Sequence, residues 1–223
     1  MSEAKADIYL DAAATTPPSA DVIERIRVVQ ADTWANPSSL HGPGIRAADC
    51  LERSRQSIAS ALGAERDQLT FTSGATESVH LALLGTALKR EPGRLVISAV
   101  EHPAVVAAAR RLALQGWQLQ QWPVDGDGLI RLDLLETMLA PPTQLVAMIW
   151  GQIEVGGLQP DLKVAQACRE RGITFHTDAT QVIPQGLIRW RDHPIDLLSL
   201  SAHKLRGPRG VGLLLHRSDS VPD

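Results

Sequence analysis

Lys204 stands in Ser201-Ala202-His203-Lys204, and Gly207-Pro208-Arg209-Gly210 follows it. Upstream runs His176-Thr177-Asp178-Ala179-Thr180-Gln181, with an apolar strand-like stretch leading into Asp178. A lysine amine forms a Schiff base with an aldehyde, and a carboxylate holds a pyridine nitrogen protonated so that the ring accepts electrons. Together these residues are what a pyridoxal 5'-phosphate (PLP) site requires, with Lys204 as the covalent anchor and Asp178 as the partner of the ring nitrogen. A carboxylate at a strand end is costly without a charged partner, and a pyridinium offsets that cost. Gln181, three residues on, could reach a ring hydroxyl.

A phosphate needs a different kind of site. Ser73-Gly74-Ala75-Thr76-Glu77-Ser78 falls at a strand-to-helix turn, where small residues let backbone N–H groups approach an anion and the helix dipole favours negative charge. The competing reading of the same turn is an ordinary N-cap, with Glu77 closing a capping box. Ser201 and His203 could add donors to the same phosphate. His102, between a strand and Pro103, could stack on a flat aromatic cofactor or simply cap the next helix.

Other chemistries fit less well. His102, His176, Asp178 and His203 lack His-x-x-x-His or cysteine-pair spacing, so no metal centre is expected. The glycines at 207, 210 and 212 precede a strand rather than open a helix, which excludes a dinucleotide loop. Cys168 lies among Val164, Ala165 and Ala167 as a small buried thiol would, and Cys50 has no activating neighbours.

The elements that must position these residues alternate. Strands are expected at Leu69–Thr72, Leu95–Ser98, Trp117–Trp122, Gln144–Trp150, Ile173–His176, Asp196–Leu200 and Gly210–Leu215. Helices are expected from the Ser73–Ser78 turn through Leu81, Leu84 and Leu88, from Pro103 to about Leu114, over Leu132–Leu139, and from a capping Asp161 to Arg171. Gly116 and Gly172 close two of them. The alternation implies an α/β fold, a mostly parallel mixed sheet with helices on both faces. In such sheets ligands bind beyond the carboxyl ends of the strands. Ser73 to Ser78, Glu101, His102, Gln152, Asp178 and Gln181 all fall there. Residues 1–65 read differently: Val22, Ile23, Ile26 and Val29 at helical spacing, a Gly/Pro-rich stretch at 36–44, then a helix with Leu51, Ile58 and Leu62. They are expected to form a helical segment packed on a cofactor-binding domain of residues 66–223.

The 223 residues are 44% hydrophobic and 21% charged, enough to bury a sizeable core. A net charge of -3 gives no electrostatic case for nucleic acid or an acidic membrane. Two unpaired cysteines, a polar start and the absence of a long apolar run point to a cytoplasmic setting.

The chain resembles the cysteine desulfurase branch of the class V aminotransferases, which are PLP enzymes. The resemblance rests on Tyr9–Pro17 (Tyr-Leu-Asp-Ala-Ala-Ala-Thr-Thr-Pro), Asn36–Gly42, Phe71–Ser78, Glu101-His102-Pro103, Glu154-Val155-Gly156, His176–Gln181 and Ser201–Lys204, in order along nearly the whole chain. It implies that Ala75, Thr76, Ser201 and His203 hold the phosphate, His102 stacks on the ring, Asp178 pairs with its nitrogen, Gln181 contacts its hydroxyl and Lys204 carries it. The implied reaction converts L-cysteine to alanine and an enzyme persulfide, in a homodimer, with sulfur passed to an acceptor protein for iron–sulfur clusters or thiolated products.

Three positions depart from the pattern. Ile153 stands where the family carries an Asn on the ring and cannot donate a hydrogen bond, which leaves Gln152 as the candidate contact. Arg206 replaces an aromatic residue. The sequence ends at Asp223, before the family's small C-terminal domain with its catalytic cysteine and substrate-binding arginine, so activity of this chain alone is not expected. A PLP aminotransferase or lyase of the same fold, and a non-catalytic remnant or interaction module, are the rival expectations.

Overall fold

A computed structural model describes residues 8–186 and 188–217. The chain opens with α1 (Ala20–Asp32), capped by Ser19 accepting from the Val22 N–H, and α2 (Gly42–Leu62), which begins inside the Gly/Pro-rich stretch with His41 as its cap. Strands and helices then alternate: β1 (Leu69–Thr72), α3 (Ala75–Leu88), β2 (Arg94–Ser98), α4 (Pro103–Ala113) and β3 (Gln118–Trp122). The second half runs through α5 (Leu135–Leu139), β4 (Thr143–Ile149), α6 (Asp161–Glu170), β5 (Thr174–Asp178), β6 (Leu197–Ser201) and β7 (Gly212–His216).

The seven strands form one sheet in the order β1-β7-β6-β5-β4-β2-β3. Only β7 runs against its neighbours, pairing antiparallel with β1 and β6, while β6, β5, β4, β2 and β3 pair in parallel. The expected mostly parallel mixed sheet is therefore present. Side chains alternate between its faces with the period of two that a strand imposes. Leu145 and Ala147 of β4 join Leu95 and Ile97 beneath α3 and α4. Val146 and Met148 point the other way, into a core shared with Val164 and Cys168 of α6 and with Ala59 and Leu62 of α2. Helices cover both faces, as runs buried on both sides require. Helix α1 buries none of its residues, and Ile23 and Ile26 are exposed on it.

Two local expectations are corrected. Helix α3, expected to carry Leu81, Leu84 and Leu88, keeps only Leu84 partly against the core: Leu81 is exposed, Leu88 is 80% exposed, and Val79, Ala82, Leu83 and Ala87 are buried. The helix packs against β6, β7 and α4 at once, so small residues must fill the tight contacts. Asp161 is not a cap either; Pro160 precedes α6 and Asp161 is completely buried, accepting a hydrogen bond from Thr177. Gly172 does end that helix, in a left-handed conformation (φ 67°) that a glycine adopts without strain. Among the described residues no helix is long and apolar enough to cross a membrane.

Candidate active site

The carboxyl ends of β1, β2, β4, β5 and β6 converge on one cleft of about 480 Å³, a size typical of small-molecule sites. Ala75, Thr76, His102, Asp178, Gln181, Ser201, His203 and Lys204 all line it. Gln152 does not. Its Oε1 accepts the Glu154 and Val155 N–H groups at 2.6 and 2.8 Å, so the amide oxygen is engaged by its own turn, and Ile153 is the residue of that loop that reaches the cleft. Arg209 and Thr15 line it too. Neither was singled out from its residue type, because only the fold brings the chain's start and the segment after Lys204 together.

Each side chain is held by its element. Strand β6 ends at Ser201, and a single 3-10 turn, Ala202–Lys204, swings the lysine over the sheet edge. The Lys204 amine donates to the Ala13 and Ala14 carbonyl oxygens, the latter at 2.9 Å. Thr16 fixes the same turn, its hydroxyl donating to the His203 carbonyl oxygen at 2.7 Å and accepting the Arg206 N–H at 2.9 Å. His203 Nδ1 lies 2.9 Å from the Thr15 hydroxyl. Gln181 donates to the Ala13 carbonyl oxygen at 2.8 Å. The residues near the start of the chain thus form one wall.

Burial lowers the pKa of the Lys204 amine, opposed by the carboxylates of Asp11 and Asp178. His203 is lowered by burial and by the neighbouring charges of Lys204 and Arg209. Asp178, the last residue of β5, is 5% exposed. Thr180 donates to its Oδ1 at 3.0 Å, and among the described residues none bonds its Oδ2. A ring nitrogen carrying a proton would supply that missing partner.

His102 serves as the cap of α4, its Nδ1 accepting the Ala104 N–H at 3.1 Å. The cap reading and the cofactor reading coexist, because the bond fixes the ring in the cleft. At α3 the cap is Gly74, with no side-chain bond, while Glu77 Oε2 accepts both the Ser73 N–H and the Ser73 hydroxyl at 2.6 and 2.5 Å. Glu77 therefore reaches back as a capping-box acid does, but one residue further. The N–H groups of the helix's first turn stay directed at the cleft. Among the described residues no cluster of His, Cys, Asp and Glu is arranged to hold a metal.

Residues 8–222 match the family model "Aminotransferase class-V". The chain belongs to that family. A probable mitochondrial cysteine desulfurase of Dictyostelium discoideum is 36% identical over 216 residues, covering 96% of this chain and 48% of that protein. The cysteine desulfurase NifS of Azotobacter vinelandii is 38% identical, covering 95% and 53%. Among solved structures, a NifS-like protein superposes with a TM-score of 0.92 at 32% identity, covering 96% of this chain and 60% of that one. SspA in complex with cysteine gives 0.89 at 37%, covering 94% and 61%. The chain spans about half the length of the curated relatives it matches.

The residues of this class V aminotransferase chain fit the PLP its family uses. An amine, a carboxylate with an open oxygen, a fixed imidazole and a helix N-terminus share one cleft. Ile149 and Ile153 supply the apolar lining that a flat ring needs.

Proposed function

We propose that this chain is the PLP-holding part of a cysteine desulfurase. The observation that carries the reading is the meeting of Lys204, Asp178 and His102 in one cleft, from three elements far apart in sequence. Asp178 holds the ring nitrogen through its free Oδ2, and His102 covers the ring. The first turn of α3 from Ala75 and Thr76, with Ser201 and His203, holds the phosphate, and Gln181 contacts the ring hydroxyl. When bound, PLP supplies an electron sink for negative charge at the α-carbon of an amino acid. Lys204 would anchor the cofactor, and its amine is the group placed to move the α-proton of a bound amino acid. Burial keeps its amine closer to the neutral form that this task needs.

The substrate of this reading is L-cysteine, with sulfur passed to an acceptor protein in iron–sulfur or thiolation chemistry. Exposed Tyr9, Leu10, Ile23, Ile26, Trp34 and Leu40 give residues 8–65 an apolar surface that supports a homodimer. Two free cysteines support a reducing compartment such as the cytoplasm. One observation favours the second reading, a PLP aminotransferase or lyase of the same fold: neither cysteine lines the cleft. Cys168 is buried and its thiol is pushed up to about 12, while Cys50 lies on α2 in a surface hollow shared with Arg25 of α1.

The experiment is borohydride reduction of the protein after PLP addition, followed by peptide mapping. The label should fall on Lys204 and vanish in Lys204→Ala. A label on another lysine would overturn the assignment of Lys204, and no label would overturn the proposal and leave a module that does not use PLP.

A further inference from the structure

Glu101 is an acid at a strand end that the roles above leave without a task. Its Oε1 accepts the Ile149 N–H at 2.7 Å and the Ser98 hydroxyl. Its Oε2 is closed to solvent and has no partner among the described residues, although part of the residue remains accessible. Ile149 is the last residue of β4, pairs with Asp178 across to β5, and lines the cleft with it. The residue after Glu101 is His102, which lines the cleft as well. One carboxyl therefore joins the turn bearing the imidazole to the strand end beside the ring-facing carboxylate.

We propose that Glu101 is a positioning residue of the cleft, its carboxyl fastening the turn that carries His102 to the end of β4 beside Asp178. The inference rests on the PLP reading of the cleft, and it assigns the tether to the neutral acid. The charged groups facing Glu101 and its surroundings are Asp178 on β5 and Asp161 at the start of α6, with Lys204 facing Asp178 in turn. None of the three acids forms an ion pair among the described residues. Repulsion from neighbouring carboxylates and a solvent-closed oxygen on each disfavour the charged forms of Glu101 and Asp161.

Burial pushes Glu101 up to about 8 and Asp178 adds repulsion, against the hydrogen bonds from Ser98 and Ile149. Asp161 is raised by burial for the same reason. Asp178 is the member of the three that lines the cleft. Glutamine copies the shape of a protonated glutamate and keeps the acceptor that Ile149 uses. Alanine removes it.

Two measurements test this on wild type, Glu101→Gln and Glu101→Ala. In cofactor-free protein, the Ile149 amide should exchange with D2O about tenfold faster in Glu101→Ala and at the wild-type rate in Glu101→Gln. In PLP titrations, Glu101→Ala should bind about tenfold more weakly and Glu101→Gln within about twofold of wild type. A merely structural role would lower Tm in both variants and would not be rescued by glutamine. If Glu101→Ala does not fold, Ser98→Ala, which removes one of the two donors to Oε1, should give a smaller loss in the same direction.

Wild-type PLP affinity and Ile149 exchange in the alanine variant overturn the inference. A glutamine variant as impaired as alanine also overturns it, because the site would then need the anion. Borohydride labelling separates the two levels. A normal Lys204 label with no Glu101 effect sinks only this inference, whereas a wild type without that label sinks the PLP reading and the role of Glu101 with it.

Discussion

Gly212, the first residue of β7, lies against the turn that presents the helix N–H groups to the cleft. A Cβ placed there would stand 2.5 Å from both Cα and C of Gly74 and 2.7 Å from the Thr72 hydroxyl oxygen. Carbon atoms in contact need about 3.5 Å, so Gly212→Ala must push the Thr72–Gly74 backbone away by about 1 Å. The atoms in the way are mostly backbone, and the turn is pinned by a 2.7 Å bond between the Thr72 and Ser78 hydroxyls, so no side-chain rotation relieves the clash. Overpacking of this kind costs about 1–3 kcal/mol. For a chain of this size that is a fall in Tm of roughly 3–10 °C.

The same displacement should misplace the N–H groups of Ala75 and Thr76 and weaken PLP binding about tenfold, about 1.4 kcal/mol. Gly74→Ala is the control for packing alone, since its Cβ would meet only the Ser201 hydroxyl at an ordinary 3.8 Å. Thermal unfolding of both variants, with PLP titration of Gly212→Ala against wild type, decides the matter. A Gly212→Ala protein with wild-type Tm and wild-type affinity would refute the claim that close approach at this position shapes the phosphate turn.

Two further outcomes follow from the site and its surroundings. The raised carboxyls of Glu101 and Asp161 keep protons that the unfolded chain sheds, so their stabilising contribution is full below their ordinary values of 4.5 and 3.8 and is lost as pH rises, for Glu101 through about 8. His176 is depressed to about 3 by burial and contributes in the opposite sense, fully above its ordinary 6.5 and lost as pH falls toward 3. From pH 6.5 to 8 His176 no longer opposes the carboxyls, and urea unfolding should show stability falling with pH, with Glu101 contributing up to about 1.4 kcal/mol per pH unit. Glu101→Gln should make that slope shallower, and a flat profile in wild type would count against buried protonated acids. Separately, Thr76→Ala should weaken PLP binding by about 1–3 kcal/mol, while Asp178→Ala should retain bound PLP and lose α-carbon chemistry. Equal binding losses in both variants, with no separate effect on reactivity, would contradict that division of roles.

The sheet was legible because its strands are short apolar runs set between helix-period stretches, and a parallel sheet buried on both faces writes itself that way. The site was legible for a related reason: in such a sheet the residues just after each strand share one edge, so Ser73, His102, Asp178 and Lys204 could be grouped without knowing the strand order. What periodicity hides is depth. Leu81 and Leu88 lie at helical spacing yet are exposed, and Leu84 is only partly buried against the core, since α3 is packed on several sides and small residues decide its contacts. Asp161 carries the signature of a cap but is buried beneath β5, because its true partner, Thr177, is sixteen residues away. Gln152 looked free to reach the cleft, and the bonds to its own turn are invisible until the loop closes. Glu101 was placed at the right edge, but its tether to Ile149 spans β2 to β4 and depends on their register.

The most direct test of the central claim is exchange of the α-hydrogen of L-cysteine in D2O, followed by proton NMR with the PLP-loaded chain. That step needs the anchoring lysine and the ring-facing carboxylate and no thiol, so it isolates what this cleft holds. Exchange should exceed a free-PLP control and should disappear in Lys204→Ala. Exchange no faster than free PLP, or undiminished without Lys204, would contradict the account.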